Sequence, residues 1–324
     1  MSRRANARRH RLSAPRLRRY PRSRRRRSIG ATFSPRDEVN FYISYMESAR
    51  ATTPIESSCN EGVFEVARQF SLEDGDDPNE VDFECRLPNA FLADPPLAQV
   101  VARSIEAGVR GELGNTDYRL GVFRTQNNDD IIFQSTGRST GLFANVDETR
   151  REGVELGLAG STFGIEWFTA YSCISATFES RFEVLTPNHP AASARGTLQV
   201  EPGNRVPGIP RHQLKVGGDY DFDAGFSLGL EVLYNSDRLL RGDEANLLET
   251  IAGYALVNLR ARYSVNETLE VFGRVTNLFN TEYENFGLLG EDPAEVLPGL
   301  SDDSPVFLGA GPPLAGWVGV RLRY

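Results

Sequence analysis

From residue 38 onward the chain repeats a pattern that few architectures accept: apolar side chains fall on every second position, segment after segment, with polar or small residues between them. A period of two belongs to extended strands, whose successive side chains leave opposite faces, and not to helices. In the last segment Gly316, Val318, Val320, Leu322 and Tyr324 share one face, and Trp317, Gly319, Arg321 and Arg323 share the other. HQLKVGGDYDF sets Leu214, Val216, Gly218, Tyr220 and Phe222 against Lys215, Gly217, Asp219 and Asp221. YALVNLRARY sets Ala255, Val257, Leu259, Ala261 and Tyr263 against Asn258, Arg260 and Arg262. Charges therefore stand where the core of a sandwich would be dry, although a soluble antiparallel sheet with one wet face also alternates.

Spacing separates the two. Ten strands are expected, near 38–47, 100–111, 116–125, 141–159, 163–180, 211–221, 226–236, 251–263, 268–278 and 316–324. The short connections are SPRD ahead of the first strand, ELGN, GST, FDAG and SVNE, each suited to a tight turn by its Gly, Asn, Asp or Ser. The long ones span 48–99, 126–140, 181–210, 237–250 and 279–315, with NNDD at 127–130 read as a loop tip. Strict alternation puts every long loop at one end of the sheet and every short turn at the other. Outer-membrane barrels have that asymmetry, whereas long structureless loops do not suit a compact soluble domain. No run of 18 apolar residues exists, which excludes a membrane-spanning helix and leaves membrane-spanning strands open. Tyr45, Tyr118, Trp167, Tyr220, Tyr234, Tyr263 and Tyr324 lie near strand ends, where amphipathic rings suit a headgroup girdle. The fold class read here is all-β, an antiparallel transmembrane β-barrel.

The net charge of -8 hides two populations. Thirteen of the 36 basic residues are arginines in 1–27, a stretch without an acid, so 23 basic residues face 44 acidic ones in the rest, a balance of -21. The segment 1–30 is set apart as an Arg-rich tail, disordered or an artefact of the gene start. It lacks the apolar stretch of an export signal, and nothing behind it resembles a nucleic-acid module, so no nucleic-acid partner is expected.

Four segments then resemble the TonB-dependent outer-membrane receptors. LEVFGRVTNLFNTEY is similar to the family's penultimate-strand signature through Asn277, Leu278, Phe279 and Tyr283. GLFANVDETRREGVELGL resembles its long strand around Asn145 and Gly153–Leu156, and FYISYMESARATTP resembles the strand running through Tyr45 and Ser48 to Arg50. GWVGVRLRY, with Trp317, Val318, Val320, Leu322 and Tyr324, resembles the terminal signal read by the barrel-assembly machinery. The resemblance covers 31–324 and implies about ten strands of a 22-stranded barrel. It implies active nutrient uptake, with a ferric siderophore as the expected cargo on family frequency and cobalamin or another bulky nutrient as alternatives. Its implied partners are outer-membrane lipid, the barrel-assembly machinery and the TonB–ExbB–ExbD energy-coupling system, reached through an N-terminal part. The family's plug and coupling segment are not seen in this sequence, so a truncated, transport-incompetent fragment is expected. The alternative is a small self-closed barrel, either a porin or an omptin-like protease with His189 or His212 as base.

Ligand contacts implied by the resemblance lie in the long loops. SDRLLRGDEANLL offers Arg238, Arg241, Asp243 and Glu244, against the plainer reading of a salt-bridged rim. DGDDPNEVDFE in the 48–99 loop reads as a solvated acidic face, not as a hard-cation site. In that loop Cys59 and Cys85 suit a disulfide in an oxidising compartment, with two free thiols as the alternative. With histidine only at His10, His189 and His212 no zinc site is expected, and with no phosphate loop or nucleophile elbow no cofactor and no catalytic residue is assigned.

Overall fold

A computed structural model of the chain describes residues 27–53, 56, 97–137, 140–222, 225–290 and 304–323. Within them the strands are β1 (Ser28–Arg36), β2 (Val39–Arg50), β3 (Val100–Leu113), β4 (Thr116–Gly137), β5 (Thr140–Thr162), β6 (Ile165–Phe178), β7 (Phe182–Leu185) and β8 (Thr197–Val200). They continue as β9 (His212–Phe222), β10 (Phe226–Asn235), β11 (Tyr254–Ser264), β12 (Leu269–Thr276), β13 (Glu284–Leu289), β14 (Val306–Ala310) and β15 (Ala315–Leu322). Eleven of these form one antiparallel sheet in the order β1-β2-β3-β4-β5-β6-β9-β10-β11-β12-β15, and β7-β8 and β13-β14 are separate two-stranded pieces.

The turns at one end are as short as their residues predict. Asp37–Glu38 lies between the paired Arg36 and Val39, Gly114–Asn115 between Leu113 and Thr116, and Phe163–Gly164 between Thr162 and Ile165. Gly114 and Gly164 take φ of +61° and +78°, the left-handed backbone that twisted two-residue hairpins require. Phe163 takes +54° without a glycine's freedom.

Two departures from the sequence reading concern extent. The sheet has eleven strands where ten were expected, because Ser28–Arg36 pairs with β2 from Ser28↔Met46 to Arg36↔Val39. The tail boundary at residue 30 thus falls inside a strand; residues 1–26 lie outside the described residues. The 126–140 segment is not a loop: β4 and β5 stay paired to Gly137↔Thr140, and NNDD is part of β4. Polar sequence was mistaken for loop, but these polar groups satisfy one another. The Thr149 hydroxyl donates to the Asp130 carboxylate (2.5 Å), Asn127 donates to it (3.2 Å), and Asn145 donates to the Asp129 carbonyl (2.7 Å).

The two faces of the sheet sort as the alternation demands. Phe41, Ile43, Ile105, Leu120, Val122, Leu228, Leu230, Val318, Val320 and Leu322 are large and exposed on one face, Val318 to 77%. A water-soluble domain cannot leave such a surface uncovered, and hydrocarbon covers it naturally. The opposite face carries most of the charges, while the apolar face has ion pairs toward its loop end, Arg103 with Glu47 and Arg124 with Glu152. Small apolar clusters sit instead among the long connections: Phe178, Val184, Leu198, Val200 and Ala245 in one, Leu240, Ile251 and Leu289 in the other. Asn277, whose φ is +51°, ends β12 and clamps the return toward β15, donating to the Thr281 and Pro312 carbonyls (2.9 and 3.2 Å).

Candidate functional site

Two regions can meet a solute: the polar wall of the sheet and the loop end above it. On the wall, cross-strand register sets Glu231 opposite Asn258, and Gly229 between Asp219 and Arg260. Glu231 is only 6% exposed, with Lys215 Nζ at 2.9 Å, an Asn258 amide donating at 3.1 Å and Arg274 at 3.8 Å. Arg260 reaches across Gly229 to grip both oxygens of Asp219, and a Cβ at Gly229 would collide with that pair. Arg321 and Arg323 close on Glu270 at 2.8 and 3.3 Å. A hollow of about 600 Å³ opens there, lined by Arg260, Arg274, Arg321 and Trp317 among others. Each carboxylate in this ladder has a cation beside it, and the cations Lys215, Arg260, Arg274, Arg321 and Arg323 outnumber the carboxylates Asp219, Glu231 and Glu270, so the wall is wettable and net positive. Apart from the charges named in the alternation, sequence reading left this ladder unassigned; the signal was opposite charges in registered wet-face positions.

At the loop end, the segment after β10 folds onto the segment between β6 and β9. The His189 side chain is fully buried, and its Nδ1 accepts the Ala191 N–H at 3.0 Å. The ring proton therefore sits on Nε2, which donates to Asp243 Oδ1 at 3.2 Å. Asp243, also fully buried, accepts the N–H groups of Leu247 and Leu248 at 2.8 and 2.9 Å. Thr186 donates to the Gly242 carbonyl at 2.8 Å, and Asn246 exchanges two bonds with the Arg205 backbone at 2.6 and 3.0 Å. Beside this clasp, burial pushes the Glu244 carboxyl above its ordinary range, and the neighbouring Asp243 pushes the same way against backbone donors and Arg241. One Glu244 oxygen is buried without a hydrogen-bond partner.

The four candidate residues of this loop are thus brought together without pairing among themselves, and they do not form a salt-bridged rim. Arg238 is buried, with its guanidinium over the Tyr254 ring (5.1 Å to the centroid) and a bond to the Asn285 carbonyl at 2.5 Å. Arg241 is exposed, and its backbone pairs with β13 through Gly287 and Leu289 at 3.0 Å each. His189 is sealed from solvent and so does not stand as an accessible general base, and the half-buried His212 is hydrogen-bonded to the Tyr171 phenol at 2.9 Å. In β15, Val318, Val320 and Leu322 lie on the apolar face, and Trp317 faces the polar wall under Arg274 at 5.7 Å. Tyr324, Cys59 and Cys85 lie outside the described residues. No group of three or more metal-ligating side chains occurs among the described residues.

A family model described as "TonB dependent receptor-like, beta-barrel" matches residues 20–278. The chain belongs to the TonB-dependent receptors. Among curated proteins it is similar to the probable TonB-dependent siderophore receptor PiuA of Acinetobacter baumannii, 27% identical over 78% of this chain and 30% of that protein. It is also similar to the ferric-pyoverdine 358 receptor of Pseudomonas putida, 28% identical over 60% of this chain and 22% of that protein. The chain therefore spans less than a third of the length of these relatives. Among solved structures, the siderophore receptor PiuA from Acinetobacter baumannii superposes with a TM-score of 0.61 at 17% identity, over 92% of this chain and 35% of that one. The copper transporter OprC superposes equally well, TM-score 0.61 at 16% identity, over 91% of this chain and 38% of that one. As a receptor barrel of the Gram-negative outer membrane, the chain sets its apolar face against lipid and its charge ladder toward the lumen.

Proposed function

We propose that the chain forms barrel wall and surface loops of a receptor for active, TonB-dependent uptake of a ferric siderophore, and that it has no enzymatic role. The carrying observation is the sorting of faces with a folded loop layer at one end, a wall for passage under a layer for capture. The cargo is argued from the two curated relatives, both named as siderophore receptors, because the fold also serves a protein named as a copper transporter. Energy comes from TonB–ExbB–ExbD, insertion from the barrel-assembly machinery acting on β15, and lipid seals the apolar face. Of the loop candidates, Arg241 is the one free to touch cargo, and Arg238, Asp243 and Glu244 act by shaping the loop. Deleting the intact gene should slow growth under iron limitation and lower uptake of labelled ferric siderophore. Unchanged uptake of every siderophore supplied would remove the iron assignment.

A further inference from the structure

The membrane-facing side of the sheet stops being apolar before it reaches the loop end. Val122 and Val154, exposed and paired across β4 and β5, mark the top of its apolar part there. Two residues nearer the loops, register sets Arg124 against Glu152 on the same face. In the row above, Glu47, Arg103, Gln126, Arg150, Thr177 and Arg205 stand side by side across β2 to β6 and the segment after β8. Neighbouring strands lie about 4.8 Å apart, so Arg103, Arg150 and Arg205 leave the sheet at intervals of about 10 Å, with Arg124 one step lower between the first two. The protein does not use up these guanidiniums. Arg103 stands 3.7 Å from Glu47, Arg124 3.8 Å from Glu152, Arg150 Nε 3.5 Å from Glu152 and Arg205 3.9 Å from Asp237, all loose ion pairs. Closer contacts among the described residues run from Arg150 to Glu179 at 2.9 Å and from Arg103 to Asn128 at 3.4 Å. Arg150 Nε is buried without a hydrogen-bond partner among the described residues, and Gln126 is bonded to Glu148. The two rows hold four guanidiniums against two carboxylates. The lumen wall is the contrast, since there Arg260 grips both oxygens of Asp219 and Arg321 closes on Glu270 at 2.8 Å.

We propose that this outward band, with Arg103, Arg124 and Arg150 at its centre, is a binding site for the phosphate of an anionic lipid headgroup. It begins where the apolar part of the face ends, so its free N–H groups meet the layer in which headgroup phosphates lie. The planar guanidinium fork matches two phosphate oxygens at once. Near a membrane surface each such cation adds about a fivefold preference for anionic lipid. The carboxylates beside the arginines hold them upright along the face and, at 3.5 Å or more, leave donors over for the ligand.

The full chain is to be folded into phosphatidylcholine vesicles carrying traces of spin-labelled phosphatidic acid, stearate or phosphatidylcholine, and electron paramagnetic resonance reads the share of each label held at the protein. Phosphatidic acid should associate about fivefold or more better than phosphatidylcholine, and better than stearate, which has charge without phosphate. Arg103→Gln/Arg124→Gln, at two exposed side chains, should cut that preference by at least about half, and adding Arg150→Gln should lower it further. Arg119→Gln, on the lumen face opposite Gly157, should leave it unchanged, and heat-modifiable migration should show each variant folded. Were a variant not to fold, the parent's preference for phosphatidic acid over stearate still decides. Excess inorganic phosphate should not displace the labelled lipid; full displacement would make free phosphate the ligand and overturn the headgroup assignment. Equal association of phosphatidic acid with phosphatidylcholine or with stearate, or a folded double variant that keeps the parent's preference, overturns the site.

Discussion

At the scale of single residues, the loop layer turns on His189, Asp243 and Glu244. Removing the imidazole leaves the fully buried Asp243 carboxylate with backbone donors alone, a loss of about 1–3 kcal/mol for an interaction of this kind. His189→Ala should therefore open 181–210 and 237–250 to protease while the barrel keeps its heat-modifiable migration. Glu244 makes a second prediction. Burial holds its proton more tightly than the ordinary value of 4.5, so the folded loop binds that proton better than the unfolded one. The stability it lends is complete below that ordinary value and is lost as pH rises through the higher folded one. Hydrogen-exchange protection of 237–250, taken relative to the base-catalysed intrinsic rate, should fall with rising pH across that window, and Glu244→Gln, which keeps the shape without the ionisation, should flatten that protection profile.

At the scale of strands, function depends on which face each residue takes. Arginine placed at Val257, Leu259 or Val320 would enter hydrocarbon and should destabilise by about 2–4 kcal/mol near the bilayer midplane. At Ser227, on the wet face beside Asp221, it should cost far less. Urea unfolding in vesicles reads the difference; equal costs would overturn the assigned facing, and a larger cost at Ser227 would mean that it is reversed. The glycines follow the same logic, since Gly229 exists where Arg260 must cross to Asp219. Element length was the weak point of sequence reading. β4 outran its expected end because Asp130, Asn127 and Thr149 bond within the strand pair, and polar composition alone cannot distinguish that from a solvated loop.

At the scale of the whole molecule, the count of strands matters as much as their chemistry. β1 and β15 both run from the loop end to the turn end, so a direct seam between them would be parallel. An all-antiparallel closure needs an odd number of further strands between them. Without the three native cysteines, cysteines placed at Ala31 and Val320 should form no disulfide within one chain in oxidising membranes. Efficient formation would show that this sheet closes on itself and would favour the small-barrel reading over a larger receptor wall.

The alternation of Val257, Asn258, Leu259 and Arg260, and of their counterparts in β9 and β15, was enough to determine strands and facing, because side-chain period is a local property of extended backbone, and the short-long order of the connections pointed to the membrane. The ring of short turns was equally local, written in Gly114 and Gly164. What only the tertiary structure decided is who meets whom across distance. Asp243 and His189 stand 54 positions apart and His189 was first weighed as a catalytic base, yet folding seals both in a clasp. Arg238 and Arg241, three residues apart, part company because one is buried over the Tyr254 ring and the other is left exposed beside Leu288. Loop docking sets those outcomes through packing between segments remote in sequence, which no local pattern encodes.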